Sequence, residues 1–368
     1  MTTVANDKRD GKRNSKRNGS QWTPAAGERV HIGLDVHKKS IHVAVWSLLQ
    51  ERIVAQWVTP AKYGRLVEQL EPLRAAIVRI VYEAGPTGYS LARLLAAAKL
   101  PVEVIAASKT PQVADRLAKS DGLDCRQLAE FSAKGLLHRV AIPSEQQEAD
   151  RQVARARDSW TSKRRRAQQQ IKSFLLQHGL AEPEGLANWS AKGIAGLGQL
   201  VLVPELRFVL DLLVEELRQL NEQMVRIRRE LVRLSKTDRH GPTVAALTSH
   251  PGVGLTVAMA FSTELHQARQ FTDAAQVGQY VGLAPRVSQS GATRRDGPIS
   301  RSGRGPLRAL LVQSAWVWIR WDKAARKVFD RLVGNTGSAQ KAIVGMARRL
   351  AIRLWRMMVT GEVYRATS

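Results

Sequence analysis

Val30-His-Ile-Gly-Leu-Asp-Val36 is a β-rich run that carries a carboxylate, Asp35, between apolar neighbours. A Lys38-Lys39-Ser40 turn and a second alternating run, Ile41-His-Val-Ala-Val-Trp46, follow it. Apolar period-two patterning on both sides of a short polar break predicts strand, turn and strand. An acid inside a central apolar strand would cost several kcal/mol to bury without a cation. Asp35 is therefore the first candidate for a functional role.

Working outward, Ala76-Ile-Val-Arg-Ile-Val-Tyr-Glu83 closes on a second carboxylate, and the breaker Gly85-Pro86 sets Glu83 at a strand's end. Asp121 and Asp124 stand three residues apart where Asp124-Cys-Arg-Gln-Leu-Ala-Glu-Phe-Ser132 begins a helix, so both fall on one side of a turn. Taken singly, each acid could be a helix cap or a solvated charge. Together they form a set of hard oxygen donors that suits Mg²⁺, which keeps several waters and needs no His or Cys. Two such ions about 4 Å apart would stabilise both the attacking and the leaving oxygen of an in-line displacement.

Residues 30–140 alternate strand and helix, which predicts an α/β layer with a mixed sheet. Strands are expected near 30–36, 41–47, 52–58, 76–83 and 102–107, and helices near 62–71, 88–98, 110–118 and 124–135. Beyond residue 145 the pattern turns helical, and no later segment reads clearly as a strand. Leu206, Leu210, Leu213, Leu217, Leu220, Met224, Ile227, Leu231 and Leu234 follow four-three spacing, the seam of a coiled coil. Its partner is either the preceding helix, about 147–178, folded back as a hairpin, or the same helix of a second protomer.

These motifs carry a resemblance. Gly33-Leu-Asp-Val-His-Lys-Lys-Ser40, Glu83-Ala-Gly-Pro-Thr-Gly-Tyr89 and Lys119-Ser-Asp-Gly-Leu-Asp-Cys-Arg-Gln-Leu-Ala129 resemble the N-terminal signature of the insertion sequence 110 family of DEDD transposases. Pro251-Gly-Val-Gly254, Gly282-Leu-Ala-Pro-Arg286, Gln289-Ser-Gly291 and Arg301-Ser-Gly-Arg-Gly-Pro-Leu-Arg308 resemble its C-terminal signature, in the right order. The resemblance implies a RuvC-like, RNase H-like N-terminal domain in which Asp35, Glu83, Asp121 and Asp124 bind Mg²⁺, with Mn²⁺ able to substitute. It also implies long coiled-coil helices and a mostly α-helical C-terminal domain whose serine nucleophile falls on Ser290, with Ser288 as a rival. Further implications are a phosphoserine link to DNA, a composite active site in a dimer or a tetrameric synaptic complex, and a bridge RNA that pairs with donor and target DNA. A Piv-type DNA invertase shares these motifs. A RuvC-like endonuclease would need only the acids and water.

Composition points to nucleic acid independently: 57 Lys and Arg against 32 Asp and Glu give a formal net charge of +25, which can displace counterions from phosphate backbones. The excess is local. Arg151, Arg155, Lys163, Arg164, Arg165 and Arg166 crowd one predicted helix, the candidate RNA contact. Arg286, Arg294, Arg295, Arg301 and Arg304 surround the serine segment. Gly252 and Gly254 sit in a turn between predicted helices over 243–265, similar to helix-hairpin-helix elements whose amides grip phosphate. Trp46, Trp57, Trp316, Trp318, Trp321 and Trp355 read mainly as core, although an exposed one could stack a base.

The expected organisation is a disordered basic tail (1–28), a catalytic domain (29–142), a helical coiled-coil linker (143–238) and a C-terminal domain (239–368). The single cysteine, Cys125, has no partner for an intrachain disulfide, and neither a signal peptide nor a membrane span is legible. The expected location is the cytoplasm, on the nucleoid when active.

Overall fold

A computed structural model describes residues 22–107, 110, 121–290, 293–300 and 303–365, without the side chains of 121–123, 287–290 and 293–296. The chain divides into two compact units, Met1–Pro143 and Ser144–Ser368.

The first unit contains β1 (Val30–Val36), β2 (Ser40–Ser47), β3 (Arg52–Pro60), α1 (Tyr63–Leu70), β4 (Ile77–Glu83), α2 (Ser90–Ala97), β5 (Val102–Ile105), α3 (Asp121–Ala133) and β6 (Arg139–Val140). The strands form one sheet in the order β3-β2-β1-β4-β5-β6. β1, β4 and β5 are parallel, while β2, β3 and β6 run antiparallel to their neighbours. This is the mixed sheet that the early hairpins predict. The expected helix over 110–118 falls largely outside the described residues, and β6 is too short to be legible as a strand.

Alternation along β1 sorts its side chains onto two faces. Val30, Ile32 and Leu34 enter a core with Ile80, Tyr82, Leu66, Leu70, Leu91 and Leu95. His31, Gly33 and Asp35 belong to the other face, which α3 covers. The His31 imidazole lies 2.8 Å from the Ser132 hydroxyl of α3, and burial, aided by Arg79 and Arg29, pushes its pKa down to about 4. At Gly33 an added Cβ would lie 2.0 Å from the Cys125 carbonyl oxygen and 2.6 Å from the Ala129 amide nitrogen. Glycine is required there because helix backbone rests directly on strand backbone.

Part of the segment expected to be a disordered tail, residues 22–28, belongs to the fold of this unit. Trp22 packs against the core, and Glu28 is buried, its carboxylate accepting from the Ser47 hydroxyl at 2.6 Å. Residues 1–21 lie outside the described residues.

In the second unit, α4 (Glu145–Gln177) starts at a capping box, the Ser144 hydroxyl accepting from the Gln147 amide while the Gln147 side chain accepts from the Ser144 amide. α5 (Ala191–Leu197) leads to α6 (Pro204–Ser235), which returns antiparallel along α4. Ile171, Phe174 and Leu175 meet Leu210, Val214 and Leu217 near one end, and Ala154 shares a core with Leu231 and Leu234 at the other. The four-three seam is thus answered within the chain by the preceding helix. α7 (Gly241–Thr248), α8 (Leu255–Glu264), α9 (Ala274–Tyr280), α10 (Gly305–Trp321), α11 (Lys323–Thr336) and α12 (Ala339–Thr360) complete the unit. Phe261, Leu311, Ala315, Met346, Leu350 and Leu354 lie at its centre. No described helix is long and apolar enough to cross a membrane.

One expectation for this unit fails. Between α9 and α10 the chain forms an antiparallel hairpin, β7 (Pro285–Ser290) and β8 (Thr293–Ile299). The alternation in these strands is among Ser, Gln, Arg and Asp, so no apolar period betrays them, and cross-strand backbone pairing defines the hairpin.

Candidate active site

Asp35 and Glu83 end two adjacent parallel strands. β1 and β4 pair up to Leu34 opposite Tyr82, so the next residues, Asp35 and Glu83, come side by side at the carboxyl edge of the sheet. Both belong to the face that α3 covers, since Asp35 shares the side of Gly33 and Glu83 shares the side of Val81, which packs with Leu128 of α3. α3 runs antiparallel to β1, with Ser132 beside His31 and Cys125 over Gly33. Continued one turn, that geometry brings the N-terminal turn carrying Asp121 and Asp124 toward Asp35. Burial, then the negative charge of Asp35, pushes the Cys125 thiol up to about 11.

In the structure these acids hold local partners. The Asp35 carboxylate, 19% exposed, lies 3.0 Å from His37 Nε2, and Glu83 accepts from the Thr110 hydroxyl at 3.0 Å. Asp124 is exposed at the start of α3, and the side chain of Asp121 lies outside the described residues. Among the described residues, no three His, Cys, Asp or Glu side chains come together closely enough to hold a metal ion. The donors present are nevertheless carboxylates at one sheet edge, the oxygen chemistry that Mg²⁺ prefers. Sequence reasoning overlooked Gly33 and Thr110. An isolated glycine in an apolar strand is the signal that could have found the first.

Ser290 ends β7, opposite Thr293, and Ser288 pairs with Arg295. Gly291 and Ala292, which connect the strands, lie outside the described residues, as does Arg301. Arg294 belongs to β8, opposite Gln289. Arg286 is exposed and donates to the Ser300 carbonyl at 3.4 Å.

The expected nucleic-acid contacts divide. Arg151 is buried (6% exposed). Arg155 donates twice to Glu264, at 2.8 and 2.9 Å. Arg304, which caps α10 at its N-terminus, bonds Glu264 at 3.0 Å and Asp158 at 3.3 Å. These three arginines are built into the fold, because buried Glu264 and Asp158 need cations beside them. Burial raises the Asp158 pKa despite Arg304 and Arg157. At Glu264 burial also pushes upward, but Arg155 and Arg304 outweigh it and hold the carboxyl below its ordinary range. In contrast, Lys163, Arg165 and Arg166 are exposed and Arg164 half-exposed. Lys163 stacks 4.2 Å over the Trp160 ring.

The α7–α8 turn also divides. Gly252 adopts φ +82°, and a Cβ there would lie 2.4 Å from the Ser314 carbonyl oxygen of α10, so this glycine serves packing. Gly254 faces open space just before the uncapped start of α8. Trp57 and Trp318 are core as expected, whereas Trp316 and Trp321 are exposed, because they extend from the solvent side of α10.

A mixed sheet with flanking helices, followed by a mostly helical half, is consistent with an RNase H-like domain of the DEDD transposase type. Residues 32–179 match the DEDD transposase family of IS110, and residues 244–330 match the transposase family of IS116, IS110 and IS902. The protein y4qE of Sinorhizobium fredii is 29% identical over 90% of this chain and 82% of its own length. The transposase for insertion sequence element IS1328 of Yersinia enterocolitica is 25% identical over 90% of this chain and 98% of its own. The transposase for insertion sequence element IS1111A of Coxiella burnetii is 24% identical over 67% of this chain and 68% of its own. The chain belongs to the IS110 family of transposases.

Proposed function

We propose that the protein cleaves and rejoins donor and target DNA through a serine–phosphodiester intermediate, with Ser290 as nucleophile and Asp35, Glu83, Asp121 and Asp124 as the acids that hold Mg²⁺. The observation that supports this reading is the adjacency of Asp35 and Glu83 at one sheet edge, with α3 seated over Gly33 on the same face. Mg²⁺ bound there, as one ion or two and replaceable by Mn²⁺, would supply polarisation of the scissile phosphate.

Ser290 attacks phosphorus through its hydroxyl oxygen. The bond to the leaving strand breaks, and that strand departs as a hydroxyl after taking up a proton. Serine is a weak nucleophile at its free pKa, so this step needs an activating environment. Arg286, Arg294 and Arg295 neutralise the charge that grows on the phosphate oxygens. The phosphoserine keeps a phosphoester bond in place of the broken one, so a hydroxyl of the new partner strand can reverse the step and rejoin DNA.

A bridge RNA supplies sequence choice by base pairing, with Lys163, Arg164, Arg165 and Arg166 gripping its backbone. The working form is a homo-oligomer, a dimer or a tetrameric synaptic complex, with acids and serine drawn from different protomers. It acts in the cytoplasm on the nucleoid.

The test incubates the protein, Mg²⁺ and co-purified RNA with labelled element-junction DNA on a denaturing gel. The expected result is a protein-linked product that Ser290→Ala and Asp35→Ala both abolish while DNA binding persists. Free nicked ends without an adduct would replace this reading with hydrolysis by a RuvC-like endonuclease.

A further inference from the structure

α10 has two contrasting sides. Leu307, Leu311, Ala315, Trp318 and Ile319 enter the core, while Trp316, Val317, Arg320 and Trp321 face solvent. Trp321 is 78% exposed and Trp316 is 38% exposed. Trp316 packs edge-on against Phe329 of α11, with 5.6 Å between ring centroids, whereas Trp321 ends the helix with its indole left in water, which forgoes the burial that makes tryptophan useful in a core and marks a contact surface.

The surroundings select the occupant. Val317 and Trp321 are four residues apart and neighbours on one stretch of helix, while Trp316 and Arg320 are neighbours on the adjoining side. Lys323 opens α11, and Lys327 lies one turn further on; both are exposed. Arg320, Lys323 and Lys327 have no acidic partner among the described residues. Asp322, between Trp321 and Lys323, is buried and accepts from the Trp318 indole and the Tyr364 hydroxyl, which withdraws its charge from the surface. Arg326 is already paired with Asp330 at 2.9 Å. The corner thus offers an aromatic face, that of Trp321, beside cations without acidic partners. A second copy of a chain with net charge +25 would have to bury those cations without counter-charges, at a cost. Duplex DNA keeps its base faces stacked and out of reach. Unpaired nucleotides present a π-face and a phosphate together, which fits both features.

We propose that Trp321, with Val317 beside it and Arg320, Lys323 and Lys327 around it, forms a stacking platform for the bases of a single-stranded nucleic acid. The platform rests on the nucleic-acid reading above and is independent of the serine chemistry.

The experiment measures fluorescence anisotropy of labelled single-stranded RNA, single-stranded DNA of the same sequence, and the corresponding DNA duplex, with full-length protein and Trp321→Ala. Because Trp321 is exposed, the variant should fold, which circular dichroism checks. The expected result is roughly tenfold weaker single-strand binding, on the scale of one lost base stack, with duplex binding unchanged and Trp321→Phe largely restoring affinity. Loss on RNA alone, DNA alone or both supports the platform and identifies the strand. Equal loss on duplex, or no loss on any strand, overturns it. A change in oligomeric mass with single-strand affinity intact also overturns it, in favour of self-association. If the wild-type protein binds none of the three, the nucleic-acid reading itself fails; if it binds single strands and Trp321→Ala does so equally well, only the platform fails.

Discussion

The two ends of one basic stretch of α4 have opposite fates. Between Asp150 and Asp158, Arg151 is buried and Arg155 is clamped on Glu264, while Asp150 gathers His240 at 2.9 Å and Arg239 at 3.3 Å. One to two turns further on, Lys163, Arg165 and Arg166 stand in water. Both ends look equally suited to gripping phosphate when read as sequence. The difference lies in what crosses the helix. α8 and the start of α10 bring Glu264 and Arg304 onto the first end, where charges must neutralise each other, whereas the next turns have no such cover. Charge density alone therefore overstates the nucleic-acid footprint.

The sharpest way to break this contrast is Glu264→Ala. Glu264 is 6% exposed and binds Arg155 and Arg304. Its removal leaves two half-buried guanidinium groups facing each other and should cost about 3–5 kcal/mol, read as a fall in the midpoint of denaturant or thermal unfolding. Wild-type stability in the variant would show that the network is not structural.

Asp150→Asn should have a smaller, pH-dependent effect. Burial pushes the Asp150 carboxyl up, but hydrogen bonds from His240 and Gln146 and the charge of Arg239 outweigh it, so its native pKa lies below the ordinary 3.8. A depressed carboxyl contributes stability that is complete above its unfolded pKa and lost as pH falls through the native value. The variant should be less stable than wild type at pH 7 by about 2 kcal/mol, as for a hydrogen bond to a charged group, and the gap should close below about pH 4. A gap that stays constant with pH would assign the loss to packing.

At the other end of the contrast, Arg165→Glu with Arg166→Glu should leave stability within about 0.5 kcal/mol, as surface changes do. The same pair should weaken RNA or DNA binding and flatten its salt dependence by roughly one unit of slope per lost phosphate contact. Unchanged salt dependence would remove this patch from the nucleic-acid interface.

The sheet was legible because strands buried on at least one face advertise themselves. Val30–Val36 and Ile77–Glu83 carry dense apolar runs that end where the acids stand. The β7–β8 hairpin was illegible for the converse reason, since its sequence carries no apolar alternation and cross-strand backbone pairing defines it. Local spacing likewise showed that α6 requires a partner helix, but could not choose between α4 and a second copy, because either satisfies the same seam.

From the residues alone came the candidate acids, the cationic excess and the chain order of the sheet's elements, all of which depend on residue type and near-neighbour spacing, while Ser290 came from the family resemblance. Tertiary structure decided which arginines are structural and which face water, which glycine serves packing, and which tryptophans escape the core. Those outcomes depend on burial, and burial is set by segments remote in sequence: Glu264 reaching back to Arg155, Ser314 closing over Gly252, and Cys125 resting on Gly33.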